Sequence, residues 1–170
     1  NDGNKKNRLI LAERLADGMK RAWDQTQLER VEPNSIQWNI ESVALIPAAH
    51  IESLEAKMKT ETAVFLANNV SKLVWLKRLQ AGKKIDLSCL TMGHVRILHL
   101  PGEPFVEYQL AAKAERKDLF VAVAGYGDYA VGYIGNSIAY AQGGYETGQA
   151  SAVTAEAEAI LMKAIRKLLH

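Results

Sequence analysis

Residues 121–145 concentrate the side chains that could do chemistry, because this segment holds five of the chain's six tyrosines. It begins in an apolar run, residues 118–124, that is typical of a buried strand, and continues as Gly125-Tyr126-Gly127. A strand followed by Gly-x-Gly can open a phosphate-binding loop, but that loop also needs a third glycine and an immediate helix. Ala130 stands at the third position, and the tyrosines around it would crowd an approaching phosphate. The sequence therefore disfavours a nucleotide site and favours a role for the phenols.

A second candidate is the carboxylate of Glu103, which follows a strand-like run ending at Leu100 and the turn Pro101-Gly102. If Glu103 begins a helix, its carboxylate caps unpaired N–H groups and meets the positive end of the helix dipole. If it is held at the carboxyl end of a strand, it stands where α/β proteins place their ligands. Residue types alone favour the cap and leave both interpretations open.

Histidine and cysteine add no metal-binding pattern. The four histidines, His50, His94, His99 and His170, include no pair with metal-ligand spacing. His94 and His99 differ by five positions, which predicts opposite faces of one strand. A zinc site built from these histidines alone is therefore not expected. The single cysteine, Cys89, lies in a mostly apolar run, which predicts a buried and unreactive thiol.

The elements that must position these groups alternate between helices and strands. Helices are predicted over 7–23, 50–66, 70–79, 103–117 and 154–169, and strands over 36–46, 85–90, 94–100 and 118–124, with a hairpin turn at 91–93. This order predicts an α/β fold with a mixed sheet and helices packed on it. No repeat or linker divides the chain, so we expect residues 1–170 to form a single domain or sub-domain.

The bulk composition excludes several classes of protein. The chain has 170 residues, of which 48% are hydrophobic and 24% charged, as in ordinary globular proteins. Its formal net charge is +2, and it has no basic block long enough to predict a nucleic-acid surface. No apolar stretch approaches the ~18 residues that a membrane span needs.

Three segments carry a further signal when they are taken together: Leu100-Pro-Gly-Glu-Pro-Phe-Val-Glu107, Val123-Ala-Gly-Tyr-Gly-Asp128 and Tyr133-Ile-Gly-Asn-Ser-Ile-Ala-Tyr-Ala-Gln-Gly-Gly-Tyr-Glu146. They resemble the neutral/alkaline, non-lysosomal ceramidase family, whose members are zinc amidases that cleave the N-acyl bond of sphingolipids. The family pattern is Leu-Pro-Gly-Glu at the end of a strand, followed later by a strand and a tyrosine-rich loop that ends in Tyr-Glu. The resemblance covers nearly all of the chain. It implies the C-terminal part of the catalytic domain of a larger zinc hydrolase, from a divergent bacterial branch.

The resemblance also implies roles for individual residues. It places the zinc-binding glutamate at Glu103 and the zinc-binding tyrosine at Tyr133. It places at Tyr145 the tyrosine that donates a hydrogen bond to the developing oxyanion of the substrate. Zinc would make a nucleophilic water available at neutral pH, and carboxylate and phenol oxygens are acceptable ligands beside histidine nitrogens.

The rest of the implied site lies outside this chain. The family's two zinc-binding histidines and the serine beside the reacting carbon belong to upstream segments, so that upstream part of the polypeptide is the expected partner. We therefore expect the isolated chain to be inactive and to bind zinc weakly or not at all. Tyr126, Tyr129 and Tyr140 are interpreted as wall or core residues.

Two departures from the family pattern bear on the substrate. Sphingolipid-cleaving members have Phe-Thr-Thr after Pro-Gly-Glu, where this chain has Pro104-Phe-Val, and Thr-Tyr-Glu-Glu-Tyr where it has Asn136-Ser-Ile-Ala-Tyr140. The expected substrate is accordingly a ceramide-like N-acyl lipid amide or a related small molecule.

We also expect the protein to be exported, either to the periplasm or out of the cell. The alternative function is a non-catalytic binding or assembly module that keeps the fold, and the sequence leaves it open.

Overall fold

The computed structural model describes residues 4–57, 60–127 and 131–170. The contacts within the chain form two compact units, Asn1–Val31 and Glu32–His170. The first unit contains helix α1 (Asn7–Asp24), which confirms the helix predicted over 7–23. None of the residues of α1 is buried, and its Leu15 and Trp23 side chains are 66% and 79% exposed.

The second unit is built on a four-stranded mixed sheet and a separate two-stranded ladder. The strands are β1 (Ile36–Val43), β2 (Ile85–Met92), β3 (Val95–Pro101), β4 (Glu103–Pro104), β5 (Phe120–Gly127) and β6 (Tyr133–Ile134). The large sheet has the order β1-β2-β3-β5. Its first three strands are antiparallel, whereas β3 and β5 are parallel. The ladder joins β4 to β6 in parallel.

Six α-helices and a short 3-10 helix (Pro33–Ser35) complete the described part of the second unit. The α-helices are α2 (Ala49–Glu52), α3 (Leu54–Lys57), α4 (Ala63–Gln80), α5 (Val106–Glu115), α6 (Ser137–Gln142) and α7 (Ala157–Leu169). The prediction of one helix over 50–66 and another over 70–79 is wrong, because α2 and α3 are single turns and α4 begins at Ala63. The hydroxyl of Thr62 accepts a hydrogen bond from the Phe65 N–H at 3.3 Å and so fixes the start of α4.

The core lies on one face of the sheet, where α7 packs on β1, β2 and β3, and α5 packs on β5 and α7. Leu87, Cys89, Leu98 and Leu100 point into this layer and are fully buried. These contacts confirm the predicted mixed sheet with helices packed on it. Cys89 is buried as predicted, and burial raises the pKa of its thiol.

The opposite face of the sheet carries apolar side chains that remain accessible. In β1 these are Ile36, Trp38 and Ile40, each about half exposed. Strand alternation explains the pattern, because these residues point away from the face on which α7 packs. None of the described helices is both long enough and apolar enough to cross a membrane.

Candidate active site

The two-stranded ladder brings Glu103 next to Tyr133. The chain leaves β3, turns at Gly102 and enters β4, whose partner β6 comes from the tyrosine-rich segment. Glu103 and Tyr133 are directly paired in this ladder, and the Glu103 N–H donates to the Gly132 carbonyl at 2.9 Å. Paired residues of neighbouring strands have their side chains on the same face, and the strands lie only ~4.8 Å apart. Residues separated by a helix and a strand in sequence therefore present a carboxylate and a phenol side by side.

Two glycines make this close pairing sterically possible. Gly102 and Gly132 both have left-handed backbones, with φ of 61° and 72°. A Cβ atom on Gly102 would lie 2.6 Å from the Gly132 carbonyl oxygen, and one on Gly132 would lie 2.0 Å from the Ala150 carbonyl oxygen. The glycine of the Leu-Pro-Gly-Glu segment is thus required by the backbone that positions Glu103.

Glu103 and Tyr133 open onto a cleft of about 440 Å³. Its polar wall has three carboxylates, Glu103, Glu107 and Glu146, and two phenols, Tyr126 and Tyr133. Much of the remaining wall is apolar and includes Phe105, Val106 and Val123. The described residues that line the cleft include no lysine, arginine or histidine. The part of the wall that the structure describes is therefore acidic and without a counter-charge, which suits a bound cation.

The surroundings of Glu103 rule out the helix-cap interpretation. Helix α5 begins at Val106, its N-cap residue is Phe105, and no side chain caps it. The Glu103 carboxylate instead accepts a hydrogen bond from the Tyr126 hydroxyl, with 2.7 Å between Tyr126 Oη and Glu103 Oε1.

The negative charge of Glu103 acts on both phenols. It raises the pKa of Tyr126 chiefly through the hydrogen bond, and that of Tyr133 chiefly through charge repulsion of the phenolate, with partial desolvation also contributing. Both hydroxyls therefore keep their protons at neutral pH and remain hydrogen-bond donors in the cleft.

Tyr145 flanks this pair instead of lining the cleft, which its neighbour Glu146 does. The Tyr145 ring stands edge-on to the Tyr133 ring, with 6.0 Å between the ring centroids, and its side chain is 74% exposed. The three residues that the resemblance implied for the site thus form a chain of neighbours in the order Glu103, Tyr133, Tyr145. Their roles remain predictions.

The donor set fits part of a zinc site. Carboxylate and phenol oxygens are suitable ligands, and Glu103 and Tyr133 supply one of each. In the described ranges, no group of three or more His, Cys, Asp or Glu side chains is arranged to hold a metal. His99 lies in β3 beside Trp38, with 5.1 Å between ring centroids. His94 lies in the turn before β3 and not on the strand, so the prediction that the two share one strand is wrong.

The glycines of the tyrosine-rich segment do not form a phosphate loop. Gly125 and Gly127 belong to β5, and the next described elements are β6 and then α6. A Cβ atom on Gly127 would lie 2.6 Å from the Leu100 carbonyl oxygen, so this glycine serves the close approach of β5 to β3. Tyr129 and Ala130 lie outside the described residues.

Two tyrosines interpreted as wall or core residues have distinct surroundings. The Tyr140 hydroxyl lies 2.8 Å from the Ser151 hydroxyl in a partly buried contact, which is the packing role predicted for it. Tyr126 does line the cleft, but its contact with Glu103 was missed. No local spacing indicates that contact, because β5 and β4 meet only in the folded chain.

Comparison with solved structures identifies the fold. The structure of the neutral ceramidase from Pseudomonas aeruginosa matches 79% of this chain and 28% of that chain, with a TM-score of 0.52 and 15% sequence identity. The fold is that of a portion of a neutral ceramidase. A second solved structure, a ceramidase complexed with C2, matches 51% of this chain and 14% of that chain, with a TM-score of 0.45 and 18% identity.

Neither a protein-family model nor a curated protein matches the sequence. The resemblance to neutral ceramidases is confirmed by the fold. This chain corresponds to less than a third of the length of the Pseudomonas neutral ceramidase chain.

Proposed function

We propose that this chain carries the carboxylate and phenol part of the active site of a ceramidase-like, zinc-dependent amidohydrolase. The observation that carries the proposal is the direct pairing of Glu103 with Tyr133 at an acidic cleft whose described lining has no cationic side chain. The neutral-ceramidase fold and the three segments that resemble that family support the same function.

Glu103 and Tyr133 would hold the zinc ion through their side-chain oxygens. When bound, zinc supplies a nucleophilic water at neutral pH. The remaining ligands, which we expect to be histidines, would come from a part of the polypeptide outside these 170 residues. The acidic wall favours occupancy by a cation, because each carboxylate is stabilised by an opposite charge and destabilised by its neighbours.

Other residues of the cleft, with Tyr145 beside it, would bind and orient the substrate, for which we propose an N-acyl lipid amide. The apolar wall formed by Phe105, Val106 and Val123 would take part of the acyl chain. Tyr145 would donate a hydrogen bond to the carbonyl oxygen as that oxygen becomes negative, a contact that is effective at roughly 2.7–3.1 Å.

The experiment compares two substitutions on the same cleft in the full-length native protein. Glu103→Gln should abolish zinc loading, since a neutral amide is a far poorer ligand than a carboxylate, and hydrolysis of an N-acyl lipid amide should be lost with the metal. Glu107→Gln removes the same charge from the wall without touching the pair and should retain zinc. Zinc content by inductively coupled plasma mass spectrometry distinguishes them. Full zinc content in Glu103→Gln would contradict the proposal.

The alternative is a binding or assembly module that keeps the fold without the chemistry. The absence of a complete metal cluster among the described residues is the observation that favours it. A full-length protein that contains no zinc and hydrolyses no N-acyl amide, yet retains a stable fold, would support this alternative.

A further inference from the structure

Tyr126 has an unusual backbone. Among the non-glycine residues that the structure describes, it alone is left-handed, with φ of 57°. A bulky side chain disfavours this conformation, whereas glycine adopts it freely. Glycines stand on both sides, at 125 and 127, and yet the tyrosine occupies the strained position. Strain of this kind concentrates at functional sites, where the surrounding structure enforces it.

The left-handed backbone of Tyr126 lies in a β-bulge of β5, which changes the direction of its side chain. His99 of β3 pairs with Ala124 of β5, and Pro101 pairs with Gly127, so β5 takes three steps where β3 takes two. Such an extra residue bends its strand and redirects a side chain. The Tyr126 N–H donates to the Gly102 carbonyl at 2.7 Å, which ties the bulge to the residue immediately before Glu103.

Packing does not account for a tyrosine at this bulge. The Tyr126 side chain is 76% exposed, so little apolar surface is removed from water. Its specific polar contact is the hydrogen bond from Oη to Glu103 Oε1 at 2.7 Å, a length typical of a strong bond to a carboxylate. The backbone N–H and the side-chain hydroxyl of Tyr126 therefore hydrogen-bond two successive residues, Gly102 and Glu103.

We propose that Tyr126 is a positioning residue that orients the Glu103 carboxylate toward the cation by holding Oε1. This inference rests on the proposed function, in which Glu103 is a metal ligand. Groups that hydrogen-bond a metal-binding carboxylate fix its orientation, and their removal typically weakens metal affinity or activity by ~10–100-fold.

The test measures zinc affinity of the full-length native protein, stripped of metal and titrated with zinc against a competing chelator. Tyr126→Phe keeps the ring and removes only the hydroxyl, so zinc should bind ~10–100-fold more weakly. The Tm of the metal-free protein should be unchanged, because the lost bond is exposed. Tyr140→Phe is the matched control. It removes a partly buried hydroxyl that bonds Ser151, so it should lower the Tm of the metal-free protein and leave zinc affinity unchanged.

The outcomes separate this inference from the proposed function. Wild-type zinc affinity in Tyr126→Phe, with affinity lost in Glu103→Gln, would overturn the positioning role and leave the proposed function intact. Suppose instead that Tyr126→Phe loses zinc affinity and its Tm falls as far as that of Tyr140→Phe. Tyr126 would then have only a structural role, and the positioning role would again be overturned. Unchanged affinity in Glu103→Gln would overturn both.

Discussion

The carboxylate of Glu103 accepts a hydrogen bond from the Tyr126 hydroxyl, whereas as a helix cap it would have met backbone N–H groups. The difference is chemical. A cap satisfies its carboxylate with the helix dipole, whereas the neutral Tyr126 phenol donates a hydrogen bond to Glu103 without adding a positive charge. Paired with Tyr133 at an acidic wall, Glu103 is therefore available to a cation.

At Tyr145 the expected effect is on turnover. Tyr145→Phe in the full-length native protein should lower kcat on an N-acyl lipid amide by ~10²–10³, the usual loss when an oxyanion donor is removed. Zinc content should be unchanged, because the substitution keeps the ring that contacts Tyr133 and removes no proposed ligand. Steady-state kinetics beside metal analysis measures both. Full activity in this variant would show that Tyr145 only packs against Tyr133.

Among elements, the β4–β6 ladder depends on its surroundings, since two residues per strand are too few to be stable alone. The buried hydroxyl of Tyr108 in α5 donates to the Gly135 carbonyl at 2.9 Å and pins the chain just after β6. The Asn136 side chain then caps α6 by accepting from the Ala139 N–H at 2.8 Å. The buried Ser151, bridged to Gly132, holds the other side of the ladder.

The fit of β6 against its neighbour can be tested with two glycines of positive φ. Gly132 and Gly143 have φ of 72° and 77°, but only at Gly132 would an added Cβ meet other atoms, 2.0 Å from the Ala150 carbonyl oxygen. Gly143→Ala should lower the free energy of unfolding by ~1–3 kcal/mol, because φ of 77° with ψ of −172° is a conformation that is essentially restricted to glycine. Gly132→Ala should lower the free energy of unfolding by a further ~1–3 kcal/mol, because its added Cβ clashes with the Ala150 carbonyl oxygen. Urea denaturation of both variants measures the difference, and equal losses would contradict the close fit.

The elements with strong periodicity could be predicted from the sequence. Helix α1, the β2–β3 hairpin and the strand containing 120–124 all lie where the apolar patterns placed them. The two-residue strands β4 and β6 could not be predicted, because they have no periodicity and form only by pairing with each other across a long stretch of sequence. Helix α6 was missed although Asn136-Ser137 is a recognisable helix start.

The residues of the candidate site were likewise only partly predictable from the sequence. The family resemblance selected Glu103, Tyr133 and Tyr145, and the structure makes them neighbours. Tyr126 could not be selected, since its contact with Glu103 depends on a bulge in β5 whose register is set by β3. Residue types and motifs can indicate ligands, but the groups that orient those ligands are determined by strand pairing.

Across the second unit, oxygen donors gather at the cleft and the histidines lie elsewhere. His99 lies next to Trp38 and close to Ser88 on the sheet. His94 precedes β3 while Glu103 follows it, so a strand of about 20 Å separates them. The pKa of His50 is lowered by burial and then by Lys72 and Lys57, in a region that does not line the cleft.

This separation leads to a prediction for the 170-residue chain by itself. Calorimetric titration with zinc should reveal no tight site, because tetrahedral zinc sites normally take four ligands and the described cleft offers one carboxylate and one phenol as a pair. The Glu103→Gln chain is the matched control and should bind zinc as weakly as the wild-type chain, with circular dichroism verifying that both are folded. A nanomolar site in the wild-type chain would mean that a histidine reaches the cleft after all. His94→Ala and His99→Ala would then identify which one, and the oxygen-only donor set described for this chain would be incorrect.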